Sequence, residues 1–199
     1  PDYVEAVNNL GIAFFKLHQL DDAVKCYERA LVLDPVSADA HNNIGAVHLE
    51  RGQLDEAVNS YKTALEIKPD FFEANNNIGS AFNKLLQPQL AIEYYEKSIA
   101  IKPDYVNAHA NLAIVLKDFK RFDEVMAIYQ SDIILNSNLD FILGEVLHTK
   151  MMLCIWDDFQ IHLNELTIKI NNNEKAVGPF ALLALIDDPE IQRKTAEIY

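Results

Sequence analysis

Apolar side chains return along this chain at helical intervals, and the pattern they make returns every 34 residues. Val7, Leu10, Gly11 and Phe14 have the three, four and seven spacing that lines one face of a helix, predicting a helix from about Asp2 to Leu17. A second helix is expected to open at Asp21, carry Ala23, Tyr27 and Ala30 inward, and stop before Pro35. Alternation of the kind a strand needs is nowhere visible, so the chain reads as all-α.

The repeat has fixed punctuation. Pro1, Pro35, Pro69 and Pro103 stand 34 apart, and Tyr27, Tyr61, Tyr95 and Tyr129 keep the same step. Small residues recur at Gly11, Gly45, Gly79 and Ala113, and again at Ala23, Ala57 and Ala91; branched residues recur at Leu10, Ile44, Ile78 and Leu112. This period and order resemble the tetratricopeptide repeat, a helix–turn–helix unit. The resemblance implies a right-handed solenoid in which each unit packs on its neighbours. Four repeats are expected, at residues 4–37, 38–71, 72–105 and 106–139.

Local signals vary between the copies. Gly52 suits a left-handed turn after a first helix, and Asp55 is placed to cap the next helix. In the third copy Leu86 takes the glycine's place and Pro88 falls where a missing N–H is tolerated. The fourth copy decays, with Val125 for alanine, Asp132 in a small-residue slot and Ser137 for proline.

Beyond it, residues 140–199 are expected to form a capping half-repeat and a helical connector. Leu139, Ile142, Leu143, Val146, Leu147 and Met151 make a further stripe. The run CIWDDFQIHLNELTIKI predicts a helix ended by Asn171 to Asn173, followed by a short helix from Pro179 and a last one capped by Asp188. Pro1 fills the slot that elsewhere closes a helix, and Tyr199 falls inside a helical pattern. The sequence therefore reads as a piece of a longer protein with more repeats ahead.

Charge narrows the partners. Lys and Arg number 17 against 30 Asp and Glu, a net charge of −13, which disfavours nucleic acid and anionic membrane surfaces. The longest apolar run, Pro179 to Ile186, is far short of the roughly 20 residues that span a bilayer. Cys26 and Cys154 form no CxxC pair and are expected to be buried thiols in a reducing compartment, the cytoplasm. The six histidines make no metal-ligand spacing; His41 and His109, at one repeat position, are expected to pack. Asp157–Asp158 and Asp187–Asp188 each precede a helix and are read as caps rather than cation ligands. No nucleophile motif is present, and no cofactor is expected.

One column of polar residues stands out on the first helices. Asn9, Asn43, Asn77 and Asn111 occupy one repeat position, and Asn8, Asn42 and Asn76 the one before it, with Ala110 in the fourth copy. Asparagine is a mediocre helix former, so propensity does not place it there. Its amide offers both a donor and an acceptor, which suits the backbone of an extended peptide whatever that peptide's side chains. With helices about 8–10 Å apart and a strand rising about 3.3 Å per residue, each asparagine could meet every third or so residue of a bound chain. The other use of such a column is bonding between neighbouring repeats, or plain hydration. Glu5, Asp39 and Glu73 follow the same groove one turn earlier, where they either favour neutral or basic peptides or form a solvated face.

The asparagine column resembles that of O-linked N-acetylglucosamine transferases and SPINDLY-type transferases, where it holds the protein substrate's backbone. CIWDDF and GPFALLALIDDPEIQRKTAEIY are similar to the connector that bacterial members carry before their catalytic domain. Animal-type members have a histidine after the proline of the Gly178–Phe180 segment; Phe180 stands here, so no catalytic role carries over. This chain lacks a strand, Gly-rich loop and helix to hold a diphosphate, so by itself it is not expected to be an enzyme. The resemblance implies a module that presents extended acceptor segments to the catalytic domain of a glycosyltransferase. The alternative is a stand-alone scaffold or adaptor. A clamp for C-terminal carboxylates is disfavoured, because the slots for its cations hold Asn8, Asn43, Glu73 and Asn77.

Overall fold

The structure is a computed structural model that describes residues 2–131 and 141–199. Asp132, Ser137 and Leu139, read above as marks of a decaying repeat and of a further stripe, lie outside the described residues. Among those described there are twelve helices and no strand. The chain is all-α and folds as a tetratricopeptide-type solenoid. It divides into two compact units, Pro1–Val115 and Leu116–Tyr199.

In the first unit, helices pair as hairpins. Helix α1 (Asp2–Lys16) packs on α2 (Leu20–Leu33), α3 (Ala38–Glu50) on α4 (Leu54–Ile67), and α5 (Phe72–Lys84) on α6 (Pro88–Ile101). Helix α7 (Val106–Asp118) follows α6. The lock inside each hairpin is a glycine against a tyrosine. A Cβ at Gly11, Gly45 or Gly79 would stand closer than 3.0 Å to the ring of Tyr27, Tyr61 or Tyr95, so only glycine lets the ring lie flat on the first helix. Ala23, Ala57 and Ala91 are wholly buried beside these rings. Burial pushes the Tyr27 hydroxyl up to about 12 and raises those of Tyr61 and Tyr95 as well.

Hairpins join through proline. Asp34, Lys68 and Lys102, each directly before a proline, turn extended at φ −141°, −130° and −132° and end α2, α4 and α6. Second helices then pack on the following first helices, α2 on α3 and α4 on α5. Ala64 and Leu65 share a core with Phe71 and Ala74 there. Ser98 takes the slot of Ala30 and Ala64, and its buried hydroxyl donates to the Phe72 carbonyl at 2.9 Å.

The second unit contains α8 (Phe122–Tyr129), α9 (Ile142–Met152), α10 (Phe159–Asn171), α11 (Pro179–Leu185) and α12 (Pro189–Ile198). Val125 is fully buried in the slot alanine holds elsewhere. Leu147, Leu166, Ile170, Val177 and Leu182 form the core of α9 to α11. Gly144 lies under Val177, and its N–H donates to the Ala176 carbonyl at 2.9 Å.

The first helices all end in one turn. His18, Gly52, Leu86 and Lys120 are left-handed, with φ of 59°, 73°, 58° and 58°. After Gly52 the paired bonds of a Schellman cap are plain, Gly52 N to Leu49 O at 3.1 Å and Gln53 N to His48 O at 2.9 Å. Cys154, 34 residues past Lys120, repeats it with φ 55°, its N–H donating to the Met151 carbonyl at 3.1 Å and that of Ile155 to the Lys150 carbonyl at 2.9 Å. Helices α9 and α10 therefore form a fifth hairpin with the same turn.

Three expectations are corrected. Cys154 is exposed and Cys26 half-buried, because the turn needs a backbone conformation at 154 and not an apolar side chain. Asp55 does not cap: α4 starts at Leu54 with Gln53 before it, which leaves Asp55 inside the first turn, acting on the helix dipole. Asp158 precedes α10 but is left-handed and makes no capping bond. Asp188 does cap, accepting from Glu190 N at 2.9 Å and Ile191 N at 3.2 Å.

Candidate functional site

The two asparagine columns are one bonded structure. Asn43 Nδ2 donates to Asn8 Oδ1 at 3.0 Å, Asn77 Nδ2 to Asn42 Oδ1 at 3.0 Å, and Asn111 Nδ2 to Asn76 Oδ1 at 2.9 Å. Each bond ties a first helix to the next one, so part of every amide serves repeat stacking. What remains is directional. Among the described residues, Asn8 and Asn42 keep Nδ2 as a free donor, and Asn43 and Asn111 keep Oδ1 as a free acceptor; Asn77 Oδ1 meets Asn76 Nδ2 only at 3.5 Å. A rung thus offers one donor and one acceptor whose orientation is fixed by the inter-repeat bond. Asn9, at the head of the column, is exposed and makes no such bond.

A groove of about 870 Å³ runs over the first rungs. Asn8, Asn9, Asn42 and Asn43 line it, with Glu5, Asp39 and Glu73 one turn away. None of the described residues lining it is a lysine or arginine, and these three carboxylates enter no ion pair among the described residues. Asn76, Asn77 and Asn111 continue the rungs outside the groove's lining. Asn75, although asparagine, belongs elsewhere: it is buried and donates to its own helix at the Phe71 carbonyl, 3.1 Å away.

In the sequence register, the position 34 residues after Asn111 is Glu145, which within the second unit is ion-paired with Lys117. Among the described residues no cluster of three His, Cys, Asp or Glu could hold a metal ion. His109 Nε2–H donates to the Pro103 carbonyl at 2.8 Å, and His109 is not among the residues lining the groove. No helix among them is long and apolar enough to cross a membrane.

A tetratricopeptide repeat family model matches residues 8–70 and 47–106. Residues 8–106 belong to the tetratricopeptide repeat family. No curated protein matches the sequence. The fold is similar to that of pilF from Pseudomonas aeruginosa, with TM-score 0.74 and 17% identity over 99% of this chain and 89% of that one. It is also similar to a thermophilic tetratricopeptide protein of Thermus thermophilus, with TM-score 0.66 and 16% identity over 98% of each chain. YrrB, described as a tetratricopeptide protein with an unusual peptide-binding site, aligns at TM-score 0.61 and 16% identity over 96% of this chain and 90% of its own. At these identities the likeness carries the fold alone.

Pairing between the asparagine columns was the part hardest to see in the sequence. The signal is that two adjacent asparagines recur together: the bond joins residues 35 apart, one more than the repeat, so each column needs the other.

Proposed function

We propose that the groove binds an extended, neutral or basic protein segment by its backbone. The observation that carries this is the set of bonded rungs: Asn8–Asn43 sets a donor and an acceptor in the groove and Asn42 a further donor, with carboxylates and no lysine or arginine among the described residues that line it. Fixing the amides before the ligand arrives removes most of the rotamer entropy that binding otherwise costs. Asn9, Asn43, Asn77 and Asn111 with Asn8, Asn42 and Asn76 are the binding residues in this reading, and residues 4–139 are its four repeats.

Residues 140–199, the capping hairpin and connector, link the groove to the catalytic domain of a protein O-glycosyltransferase. What supports this finer reading is the similarity of CIWDDF and GPFALLALIDDPEIQRKTAEIY to the connectors of that family. The proposed setting is the cytoplasm, where the free thiols of Cys26 and Cys154 stay reduced. A stand-alone scaffold is equally compatible with the groove, since backbone recognition needs no transferase. A coding sequence past Tyr199 that specifies two nucleotide-sugar-binding lobes selects the transferase; a stop codon there selects the scaffold.

The groove itself is tested with Asn43→Ala plus Asn77→Ala and an unstructured peptide of serine, threonine and lysine, followed by fluorescence anisotropy. Affinity is expected to fall at least about tenfold, since each lost neutral hydrogen bond is worth about 1 kcal/mol. Helix content should hold well below the unfolding transition. Undiminished affinity in the folded double variant overturns the backbone-binding reading.

A further inference from the structure

Between α9 and α10 the second unit holds an aromatic turn whose charged tip is left unused. The Phe159 N–H donates to the Trp156 carbonyl at 3.2 Å and closes a four-residue turn, and the two rings at its ends pack edge to face with centroids 5.2 Å apart. Both flanking helices hold it in place: buried Lys150 of α9 donates to the Asp157 carbonyl at 3.4 Å, and the His162 N–H of α10 to the Asp158 carbonyl at 3.1 Å. Held this way, Trp156 stays 59% exposed. Asp157 and Asp158 are exposed beside it in the turn, and among the described residues neither carboxylate enters an ion pair or caps a helix. Elsewhere the chain supplies its own cations to aromatic rings. Lys68 lies 4.6 Å from the centre of the Phe71 ring, Lys102 4.6 Å from that of Phe72 and Lys97 4.5 Å from that of Tyr94. Among the described residues no lysine lies over Trp156 in this way, although indole attracts a cation more strongly than either other ring.

We propose that this turn is a docking site for an arginine side chain of a partner protein. The guanidinium stacks on the open face of Trp156 while its N–H groups donate to the carboxylates of Asp157 and Asp158. Arginine suits the site better than lysine, because its planar and weakly hydrated head can stack and pair at once, whereas an ammonium keeps its water more tightly. The net charge of −13 draws a basic segment to the chain without choosing a place on it. Choice comes from the turn, which joins an uncovered indole to two unpaired carboxylates on a backbone already fixed. The site lies wholly within the second unit, and its occupancy is independent of whether the asparagine groove binds peptide.

Trp156 is the one tryptophan of the chain, so its emission reports this turn directly. The test titrates the full chain with an end-blocked peptide of glycine, serine and two arginines, and with the same peptide carrying lysine or neutral citrulline instead. The arginine peptide is expected to give a saturable change in Trp156 emission, with the lysine peptide several-fold weaker and the citrulline peptide at least about tenfold weaker. Asp157→Asn with Asp158→Asn should weaken the arginine peptide at least about tenfold. That pair keeps the fold, since asparagine accepts the left-handed backbone of residue 158 as readily as aspartate does. Glu96→Gln with Glu165→Gln removes two exposed carboxylates elsewhere and should shift affinity by less than about twofold. The proposal is overturned if emission shows no saturable change, if citrulline or lysine binds as tightly as arginine, or if the Glu96 and Glu165 pair loses as much as the Asp157 and Asp158 pair, which leaves only the attraction of an acidic chain. It is overturned equally if the chain sediments as a dimer that Trp156→Ser dissociates, which makes a second copy the occupant.

Discussion

Tyr61 and Tyr95 occupy the same place in successive hairpins and differ by one hydrogen bond. The Tyr95 hydroxyl donates to Ser80 Oγ at 3.2 Å, whereas the Tyr61 hydroxyl is buried without a partner among the described residues. The residue at the Ser80 position of its own repeat is Ala46. Ala46→Ser is therefore expected to stabilise the protein by about 1 kcal/mol, read from the urea midpoint, because it satisfies a buried donor already bearing the cost of desolvation. Tyr61→Phe should be close to neutral, and Tyr95→Phe should cost about 1 kcal/mol by the same account. A second contrast lies in the turns. Gly52 has open space around its would-be Cβ, so Gly52→Ala tests backbone conformation alone and should cost about 1 kcal/mol. Leu86→Gly, at φ 58° and with an exposed side chain, should cost nothing, although leucine to glycine inside an exposed helix costs about 1 kcal/mol.

At the scale of elements, the helices were legible because their apolar spacing and proline stops act locally. Proline at 35, 69 and 103 forces the preceding residue out of the helical region whatever the rest of the chain does. Glycine against tyrosine was legible as a recurrence, though the reason, a ring lying where a Cβ would stand, needs the packed hairpin. The turns were half legible: glycine announced the left-handed residue at 52, but histidine, leucine, lysine and cysteine adopt it at the same register without any compositional sign. Packing of the hairpin overrides their intrinsic preference, which is also why Cys154 marks a fifth hairpin that sequence similarity does not reach. The asparagine columns were visible as candidates for peptide contact or for bonding between repeats; that each inter-repeat bond pairs one column with the other, leaving part of the amides over, was not. Gly45→Ala probes the element lock directly. Its Cβ would sit 2.7 Å from the Tyr61 ring, and the buried ring has little room to retreat, so a loss of about 1–3 kcal/mol is expected. An unchanged melting curve in that variant would show that α3 and α4 can separate without penalty.

For the molecule as a whole, the recurrence of one buried tyrosine in each of α2, α4, α6 and α8 ties stability to alkaline pH. Burial holds the Tyr27 hydroxyl up to about 12 and raises Tyr61, Tyr95 and Tyr129 in the same direction, against an unfolded value near 10. The neutral form is thus favoured in the folded state. Stability is full below the unfolded value and is lost as pH rises from there through the raised folded values, because only the unfolded chain can release these protons. A hydroxyl whose titration moves up by one pH unit on folding contributes about 1.4 kcal/mol, so several tyrosines acting together rival the whole stability of a small domain. In an array whose repeats contact only their neighbours, the loss should also spread along the chain rather than stay at one site. The urea midpoint is therefore expected to be flat from pH 7 to 9 and to fall steeply between about 10 and 12. Tyr61→Phe, which removes one titrating group without emptying its site, should flatten that fall by the share of a single tyrosine. A midpoint as high at pH 11 as at pH 8 would mean that the four hydroxyls reach water in the folded protein, and would remove the buried ring as the common lock of the hairpins.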